Sequence, residues 1–448
     1  MNRMPTGDAA LQGWGSPAMQ AGVAVLREEP LVSIVTPSYN QGRYIEETIQ
    51  SVLNQDYPNL EYLVLDGGSR DNTLEILKRY EGRLVWISEK DWGQADAINK
   101  GFRLAKGEIL GWLNSDDTYL PGAIRKVVQY FQAHRDVGML YGEGYHVDSA
   151  GKIIERYYTE PFDFQRLGEI CFICQPTAFL RAEVFRTIGP LEISLRYCLD
   201  YEYWMRVAKR FRIGYLDDYL ANSRLHFETK TLSQRVKFHQ EILETVKKHY
   251  GHVPERWIYA YAHGYLNEKL MPHIQGFHAD GWASQRASVF LRGDWRHYQY
   301  LFLEGTSSMY TCPLSLQIAM DDQVLDEVII DDAVFCIKRP LWGNGIPTNE
   351  SGIIEVNIYA DSSFTPQAFG ITDDTRTLSY RVRKLSLVDG QGGELVLYSD
   401  RKAWLFRLAL PMLVLWKSLL VNHDIPYVEL GRDIRQLRSS LMGSLPGL

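Results

Sequence analysis

The 448-residue sequence contains only five cysteines, and their odd number and wide spacing do not suggest a disulfide framework. Cys171 and Cys174 form a single Cys-x-x-Cys within an apolar run, and no second pair lies at the spacing of a zinc site. We therefore expect buried thiols at these positions and not a metal or redox centre. A reducing, cytoplasmic location fits this cysteine usage.

Long apolar runs and an excess of basic residues are also missing. No window approaches the roughly 20 apolar residues of a membrane helix, and the nearest run, 408–416, is flanked by Arg407 and Lys417. Residues 1–30 lack the basic and apolar segments of a secretory signal, so they are interpreted as a loose tail. The net charge of −7 argues against a nucleic-acid partner.

The composition itself, 45% hydrophobic and 23% charged, is that of a globular protein with two or three domains. In the first part of the chain, short apolar runs alternate with segments of helical spacing. This alternation predicts an open parallel α/β sheet. The predicted strands are 31–36, 60–65, 84–88 and 108–113, and the predicted helices are 43–53, 73–80 and 95–104.

Polar residues follow each of the four predicted strands, at 37–40, 66–69, 91–94 and 114–117. Ligands of open α/β sheets bind beyond the carboxyl ends of the strands, so these segments predict a binding site. Asp116 and Asp117 are adjacent carboxylates, which repel each other unless a cation or hydrogen-bond donors relieve the repulsion. A divalent cation shared with a diphosphate would do so, while a simple helix N-cap is the alternative. Asp66, before Gly67 and Gly68, is placed to accept hydrogen bonds from a base or ribose.

The hydrophobic pattern changes in the second half of the chain. Residues 234–271 have helical spacing, and later segments such as 314–320, 354–358 and 378–382 alternate apolar and polar residues, which predicts a β-sandwich. Its aromatic residues indicate either core packing or a carbohydrate-binding module. The segment 404–420 indicates either a helix on a membrane surface or a packed helix kinked at Pro411. The predicted divisions are a tail at 1–30, an α/β domain at 31–235, a helical linker at 236–275, a sandwich at 276–400 and a helical end at 401–448.

Five segments together resemble the inverting family 2 glycosyltransferases, which have the GT-A fold. The resemblance covers about residues 31–250 and depends on the order and spacing of the segments. They are Ser33-Ile-Val-Thr-Pro-Ser-Tyr-Asn40, Ile49-Gln-Ser-Val-Leu-Asn-Gln55, Asp66-Gly-Gly-Ser69, Asp96-Ala-Ile-Asn-Lys-Gly101 and Trp112-Leu-Asn-Ser-Asp-Asp117.

The resemblance assigns roles on the donor side of the site. It implies that Asp117 is the metal ligand of a DxD-type motif and that Asp116 lies on the ribose or phosphate side. Asn114 occupies the first position of that motif, where it brings no charge. A Mg²⁺ or Mn²⁺ ion is the implied cofactor. The residues implied to bind the nucleotide-sugar donor are Thr36, Pro37, Tyr39, Asn40, Asp66, Asn99, Lys100, Asn114, Ser115 and Asp116, although Lys100 can equally be a solvated charge.

The acceptor side is implied by two later segments. Asp200 has the position of the catalytic base, although Leu199 stands where the family usually has Glu, and Glu202 is a fallback base. Gln175 would border the acceptor, and His226, in Arg-x-His, would reach the metal or diphosphate or be structural. Without the resemblance, Asp200 is interpreted as a helix N-cap.

We therefore predict an inverting, metal-dependent transfer of a sugar from a nucleoside-diphosphate sugar, with UDP as the default nucleotide, to a saccharide or lipid-linked acceptor. Cell-surface polysaccharide or glycolipid assembly is the expected setting. A processive synthase would normally carry transmembrane helices and Gln-x-x-Arg-Trp, which the chain does not match. The alternative from another class is a non-catalytic carbohydrate-binding or scaffold protein with a degenerate transferase domain. The sequence leaves the oligomeric state open.

Overall fold

A computed structural model describes residues 26–225, 234–270, 274–278, 280–292, 297–308, 311, 313–320, 323–341, 353–366 and 378–422. The chain divides into two compact units between Trp257 and Ile258. This division falls within the predicted helical linker, and the other predicted boundaries stay predictions. Each unit has its own hydrophobic core, so each is described separately.

Among the described residues, the first unit is built on a nine-stranded mixed sheet. Its central strand β1 lies between β2 and β4, and the sheet order is β3-β2-β1-β4-β8-β6-β9-β5, with β7 paired to β6. The strands are β1 Val32–Ser38, β2 Leu60–Asp66, β3 Val85–Ser88, β4 Ile109–Trp112, β5 Thr118–Tyr119, β6 Val137–Val147, β7 Ile153–Arg156, β8 Phe179–Arg181 and β9 Arg212–Arg224.

The first four strands are parallel, as the alternating pattern predicted. All seven residues of β1 are buried, which is typical of a strand covered on both faces. The strand register places Ser38 beside Asp66, Asp66 beside Ser88 and Val35 beside Trp112. The carboxyl ends of these strands therefore form one edge of the sheet, where a ligand site is expected.

Beyond β4 the sheet departs from the parallel pattern because β8 runs antiparallel to both β4 and β6. Gly111 of β4 faces the ring of Phe179 so closely that a Cβ atom would lie 2.7–2.8 Å from ring carbons. A glycine is therefore needed at this crossing. The mixed half of the sheet carries the loops that complete the cavity described below.

Helices cover both faces of this sheet and supply apolar side chains to its core. In α1, for example, Ile45, Ile49 and Val52 are buried on one side. The helices are α1 Ile45–Leu53, α2 Thr73–Arg79, α3 Gln94–Leu104, α4 Ala123–Ala133, α5 Phe164–Glu169, α6 Ala182–Ile188, α7 Leu199–Ala208 and α8 Arg235–Tyr250, with a 3₁₀ turn at Gln175–Thr177.

The second unit is an antiparallel, strand-rich domain. In the part of this unit that the structure describes, nine strands form one sheet of order β14-β13-β16-β11-β17-β12-β15, with β10 paired to β11 and β18 to β17. Inward residues from strands across the sheet share one core cluster, as in a barrel or sandwich. The strands are β10 Ile274–Phe277, β11 Trp282–Arg292, β12 Tyr298–Ser307, β13 Leu314–Met320, β14 Gln323–Ile330, β15 Val334–Pro340, β16 Ile353–Ala360, β17 Leu378–Asp389 and β18 Glu394–Ser399.

The aromatic residues at the start of this domain have neighbours within it. Trp282 lies edge-on to Phe364 at 5.4 Å and beneath the Arg381 guanidinium, and Tyr300 lies beneath Lys338. Trp295 and Cys312 lie outside the described residues. These contacts favour packing as the role of the described rings.

Two long helices border this domain, α9 at Glu255–Leu270, which spans the boundary between the units, and α10 at Asp400–Asn422. The prediction that no segment is long and apolar enough to cross a membrane was wrong. Within α10, the 21 residues Lys402–Asn422 meet this criterion, with an 18-residue window of mean hydropathy 1.6. Arg407 and Lys417 interrupt the apolar run in the sequence, but they do not lower its average enough. Pro411 lies inside α10, and the predicted kink there stays a prediction.

Candidate active site

A cavity of about 750 Å³ lies at the carboxyl ends of the parallel strands. That volume suits a small-molecule ligand. All four polar segments predicted from the sequence reach it, through Pro37, Ser38 and Tyr39, through Gly67, through Asp91 to Gln94 and through Asn114 to Asp117. Gln175, Asp200 and Arg224 line the same cavity, so it brings both predicted acidic elements together.

The Asp116–Asp117 pair lies in the loop between β4 and β5. Asp117 is 4% exposed, and its carboxylate accepts hydrogen bonds from the Arg224 backbone N–H at 2.9 Å and from the Asn114 amide at 3.1 Å. Burial raises the pKa of Asp117 well above its ordinary value, and the neighbouring charge of Asp116 raises it further. A cation bound here would offset both effects and favour the ionised pair.

Asn114 connects several parts of the cavity wall. Its amide nitrogen donates to Asp117 and, at 2.8 Å, to Oε1 of Gln175, while its Oδ1 accepts from Gln94 at 2.8 Å. Gln175 in turn donates to the Trp112 carbonyl at 3.0 Å. An aspartate at position 114 could not donate these bonds and would add a third negative charge, so the neutral amide fits this arrangement.

Arg224 holds the acidic loop against the rest of the sheet. Its side chain is buried and donates to the carbonyls of Asp116 (2.9 Å), Asp148 (3.2 Å) and Ser149 (3.0 Å) and to the Glu47 carboxylate at 2.5 Å. The guanidinium provides donors in a fixed plane, which suits several acceptors at once. The Arg of the predicted Arg-x-His element therefore positions the loop, while His226 lies outside the described residues.

Asp200 lies in the first turn of α7. Its carboxylate accepts a hydrogen bond from the Tyr201 N–H at 2.8 Å, and it lines the cavity. Burial raises the pKa of Asp200 to about 6, outweighing hydrogen bonds that lower it, with a smaller contribution from the charge of Glu241. A carboxylate with this pKa is ionised at neutral pH and is still a useful proton acceptor.

The segment that leads into α7 is held by hydrogen bonds to Glu241 of α8. The Glu241 carboxylate accepts hydrogen bonds from the backbone N–H groups of Arg196, Tyr197 and Cys198, at 2.7–2.8 Å. Within the helix, Trp204 stacks on Trp112 of β4 at 5.2 Å. The two acidic elements are therefore connected through a rigid aromatic contact and not only through the loops.

Several predicted donor residues support the loops without lining the cavity. Thr36 is buried with its hydroxyl on Tyr62 at 3.1 Å. Asn40 has a φ of 51° and joins its loop to Ser69 and Arg70, at 2.7 and 2.8 Å. The buried Asp66 carboxylate accepts from Ser88 and from Gly68 and Ser69 of its own loop. Its hydrogen-bonding capacity is thus used within the protein.

Asn99 and Lys100 are not among the cavity-lining residues. The buried Asn99 amide both donates to and accepts from the backbone of Leu191, at 2.9 and 2.7 Å, and Lys100 pairs with Glu89. Their placement therefore gives no support to a donor-binding role. Glu202 is likewise a poor fallback base, because it is buried among Arg206 and His249 and its pKa is lowered.

The cavity also contains residues that the sequence did not single out. Trp92, 76% exposed, follows β3, while Arg196 donates to the Trp92 carbonyl at 2.6 Å. His146 and Tyr157, with ring centroids 4.6 Å apart, come from β6 and the segment after β7. Trp92 belongs to a polar segment predicted to bind ligand. No sequence signal marks His146 or Tyr157, because the mixed half of the sheet brings them in.

Comparisons with known proteins agree with this geometry. The model of glycosyl transferase family 2 matches residues 33–189. An uncharacterized glycosyltransferase of Methanocaldococcus jannaschii is 26% identical over 50% of this chain and 80% of its own length. One of Rickettsia typhi is 30% identical over 44% of this chain and 64% of its own length, and a chondroitin synthase of Escherichia coli is 28% identical over 47% and 31%. The chain thus spans less than two thirds of the latter two.

Solved structures with a similar fold include two glycosyltransferase complexes. Staphylococcus aureus TarS 1–349 in complex with UDP has 19% identity and a TM-score of 0.40, covering 53% of this chain and 71% of that one. The mannosyltransferase PcManGT from Pyrobaculum calidifontis, in complex with GDP-Man and Mn²⁺, has 21% identity and a TM-score of 0.40, covering 50% and 66%.

The match spans the strands and loops that carry the Asp116–Asp117 side of the cavity, and both predicted acidic elements are present. The predicted fold is confirmed, with an open Rossmann-like sheet followed by an antiparallel strand-rich domain. Residues 33–189 thus carry a glycosyl transferase family 2 domain with the GT-A fold, and the chain is related to glycosyltransferases over this domain.

Proposed function

We propose that the protein transfers a sugar, with inversion, from a nucleoside-diphosphate sugar to a hydroxyl group of a saccharide or lipid-linked saccharide. The observation that carries this proposal is the single cavity lined by both the Asp116–Asp117 pair and Asp200. Two acidic elements with different environments suit two tasks, which are to hold the leaving group and to accept a proton. The rival, a degenerate binding protein, predicts the loss of one of them.

The residues on the donor side fit a hard divalent cation, Mg²⁺ or Mn²⁺. Asp116 and Asp117 offer carboxylate oxygens, and a cation bound beside them would offset the burial and the Asp116 charge that raise the pKa of Asp117. No group of three or more His, Cys, Asp or Glu side chains suited to a metal occurs among the described residues. A cation here would therefore complete its coordination with diphosphate oxygens and water, as Mg²⁺ commonly does. When bound, it supplies positive charge that stabilises the departing diphosphate.

The nucleotide would bind along the loops that follow β1, β2 and β3. Ser38 has a buried hydroxyl without a hydrogen-bond partner among the described residues, and it lines the cavity beside Tyr39 and Gly67. An unsatisfied buried hydroxyl is costly, and a ligand group would satisfy it. Asp91 lies in the same wall and holds its loop by accepting from Gly93 at 2.8 Å. UDP is the default nucleotide by resemblance to the family.

Asp200 would serve as the base on the acceptor side. The ionised carboxylate takes the proton of the acceptor hydroxyl while that oxygen bonds to C1 of the sugar and the bond from C1 to the diphosphate breaks. Gln175 borders the site, but its amide is engaged with Asn114 and Trp112, so we assign it a positioning role. Similarity to a chondroitin synthase supports cell-surface polysaccharide assembly as the setting.

The test is release of nucleoside diphosphate from a panel of UDP-, dTDP- and GDP-sugars, with Mg²⁺ or Mn²⁺ and a mixture of saccharide acceptors. We expect release from one donor class, abolished by EDTA and restored by added metal, and a product of inverted anomeric configuration. Undiminished release in EDTA would contradict the metal site. A retained configuration would contradict the role of Asp200, and no release from any donor would favour the binding protein.

A further inference from the structure

Helix α10 has one side packed within its own domain. Ala403 and Phe406 are buried in the core cluster, and the Phe406 ring lies 4.9 Å from His263 of α9. Further along, the Lys417 ammonium lies 4.3 Å from the ring centroid of Tyr261. These contacts are about three turns apart along α10, and Ala409, Leu410 and Leu413 between them pack against the same core cluster, so this side of α10 is held by its own domain.

The other side of α10 is apolar but exposed. Trp404, Leu408, Met412 and Leu415 are 49%, 42%, 40% and 64% exposed, and their spacing of four, four and three residues places them on one face. After Phe406, no residue of the helix is buried. A long, predominantly apolar helix normally lies in a protein core or a membrane. Only 6% of the most apolar window of α10 is buried, so the core does not account for it.

The charges of α10 indicate which apolar environment would cover it. Between Asp400 and Asn422 the sequence has four basic residues, Arg401, Lys402, Arg407 and Lys417, and one acidic residue, Asp400, so this stretch carries a net charge of +3 in a chain of net charge −7. Basic residues beside an apolar helical face favour a surface of anionic lipid. Trp404 suits the boundary between headgroups and acyl chains.

We propose that α10 binds the surface of an anionic lipid bilayer, with Trp404, Leu408, Met412 and Leu415 facing the acyl chains. The helix would lie in the plane of the interface and not cross the bilayer, because its contacts with His263 and Tyr261 hold its other side against the domain. This function is separate from sugar transfer, since none of these residues lines the cavity. It would bring the enzyme to the surface where lipid-linked acceptors are found.

The experiment is flotation of the full chain with vesicles of phosphatidylcholine alone or with 30% phosphatidylglycerol. We expect binding to the anionic vesicles that weakens with salt. The variant Leu408→Gln/Met412→Gln/Leu415→Gln should bind at least tenfold more weakly, because its three exposed side chains no longer enter the acyl region. A control, Val324→Gln/Ile329→Gln/Val334→Gln, alters apolar residues of the same domain that are on average more exposed, 53%, 70% and 56%, and should bind as the wild type does.

Three results would overturn the proposal. They are absence of binding to anionic vesicles, equal loss in both triple variants, and conversion of a dimer to a monomer by the α10 variant without any effect of lipid, which would assign the face to a second copy of the chain. Circular dichroism verifies that each variant is folded. Nucleoside diphosphate release in detergent-free solution should be equal in all three proteins, so failure of lipid binding is distinguishable from failure of the transferase assignment.

Discussion

In the proposed mechanism, the chemistry of the acceptor side depends on the carboxyl group of Asp200. It lines the cavity, and its pKa is raised to about 6, chiefly by burial. A general base must be ionised before it can accept a proton, so the raised pKa moves the loss of activity on acidification into an accessible pH range.

We predict that kcat/KM for sugar transfer is constant above about pH 7 and falls tenfold per pH unit below about pH 6, because protonated Asp200 cannot act as base. An aspartate with an ordinary pKa would give that fall only below pH 4. The measurement is nucleoside diphosphate release between pH 4.5 and 8. Nucleotide affinity measured over the same range is the control for titration of the donor or metal site. A flat profile down to pH 5 would contradict this role.

The residues of the site could be predicted from the sequence only in part. Asn114, Ser115, Asp116, Asp117, Asp200 and Gln175 all line the cavity, whereas Thr36, Asn40, Asp66, Asn99 and Lys100 do not. The second group is equally polar in sequence. A polar side chain can be satisfied by hydrogen bonds within the protein, as Asn99 is by the backbone of Leu191. Such partners are distant in sequence, so no local pattern reveals them.

At the scale of elements, strand β9 is joined by hydrogen bonds to the loop between β4 and β5. Arg224, the last residue of β9, joins that loop to the segment after β6 and to α1 through its side chain. The backbone N–H of the same residue holds Asp117. The acidic pair therefore owes its position to a strand more than 100 residues away in sequence.

Replacing Arg224 with Lys should lower the free energy of unfolding by roughly 3 kcal/mol, because several buried carbonyls lose their donors. The control is Arg212→Lys, at an exposed pair with Asp136, which should cost less than about 1 kcal/mol. Urea denaturation of both variants makes the comparison. Equal small losses would show that Arg224 does not anchor the loop.

The elements themselves were predictable to different degrees. The four parallel strands were identified because each is a short apolar run followed by polar residues, and the structure confirms them. The antiparallel crossing of β8 and the contribution of β6 were not, since they are determined by packing such as that of Phe179 on Gly111. The apolar length of α10 was underestimated, because the basic residues Arg407 and Lys417 interrupt its apolar run.

At the scale of the whole molecule, the two units have separate cores and separate proposed tasks. The first unit carries the cavity, and the second carries the apolar face of α10. The order of a GT-A domain and a strand-rich domain could be predicted, because parallel and alternating strands leave different hydrophobic patterns. Their cytoplasmic location stays a prediction.

We propose a division of roles within one cavity. Asp116 and Asp117 hold the leaving diphosphate, and Asp200 accepts the proton of the acceptor hydroxyl. The most direct test measures nucleotide affinity by calorimetry, with and without Mn²⁺, and transfer rate for the same wild-type, Asp200→Asn and Asp117→Asn proteins. We predict that Asp200→Asn keeps nucleotide affinity within about twofold but loses on the order of 10²–10⁴ in transfer rate. Asp117→Asn should lose the Mn²⁺-dependent part of the affinity. If Asp200→Asn transferred sugar at a rate within tenfold of wild type, or if Asp117→Asn kept the full effect of Mn²⁺, the division would be wrong.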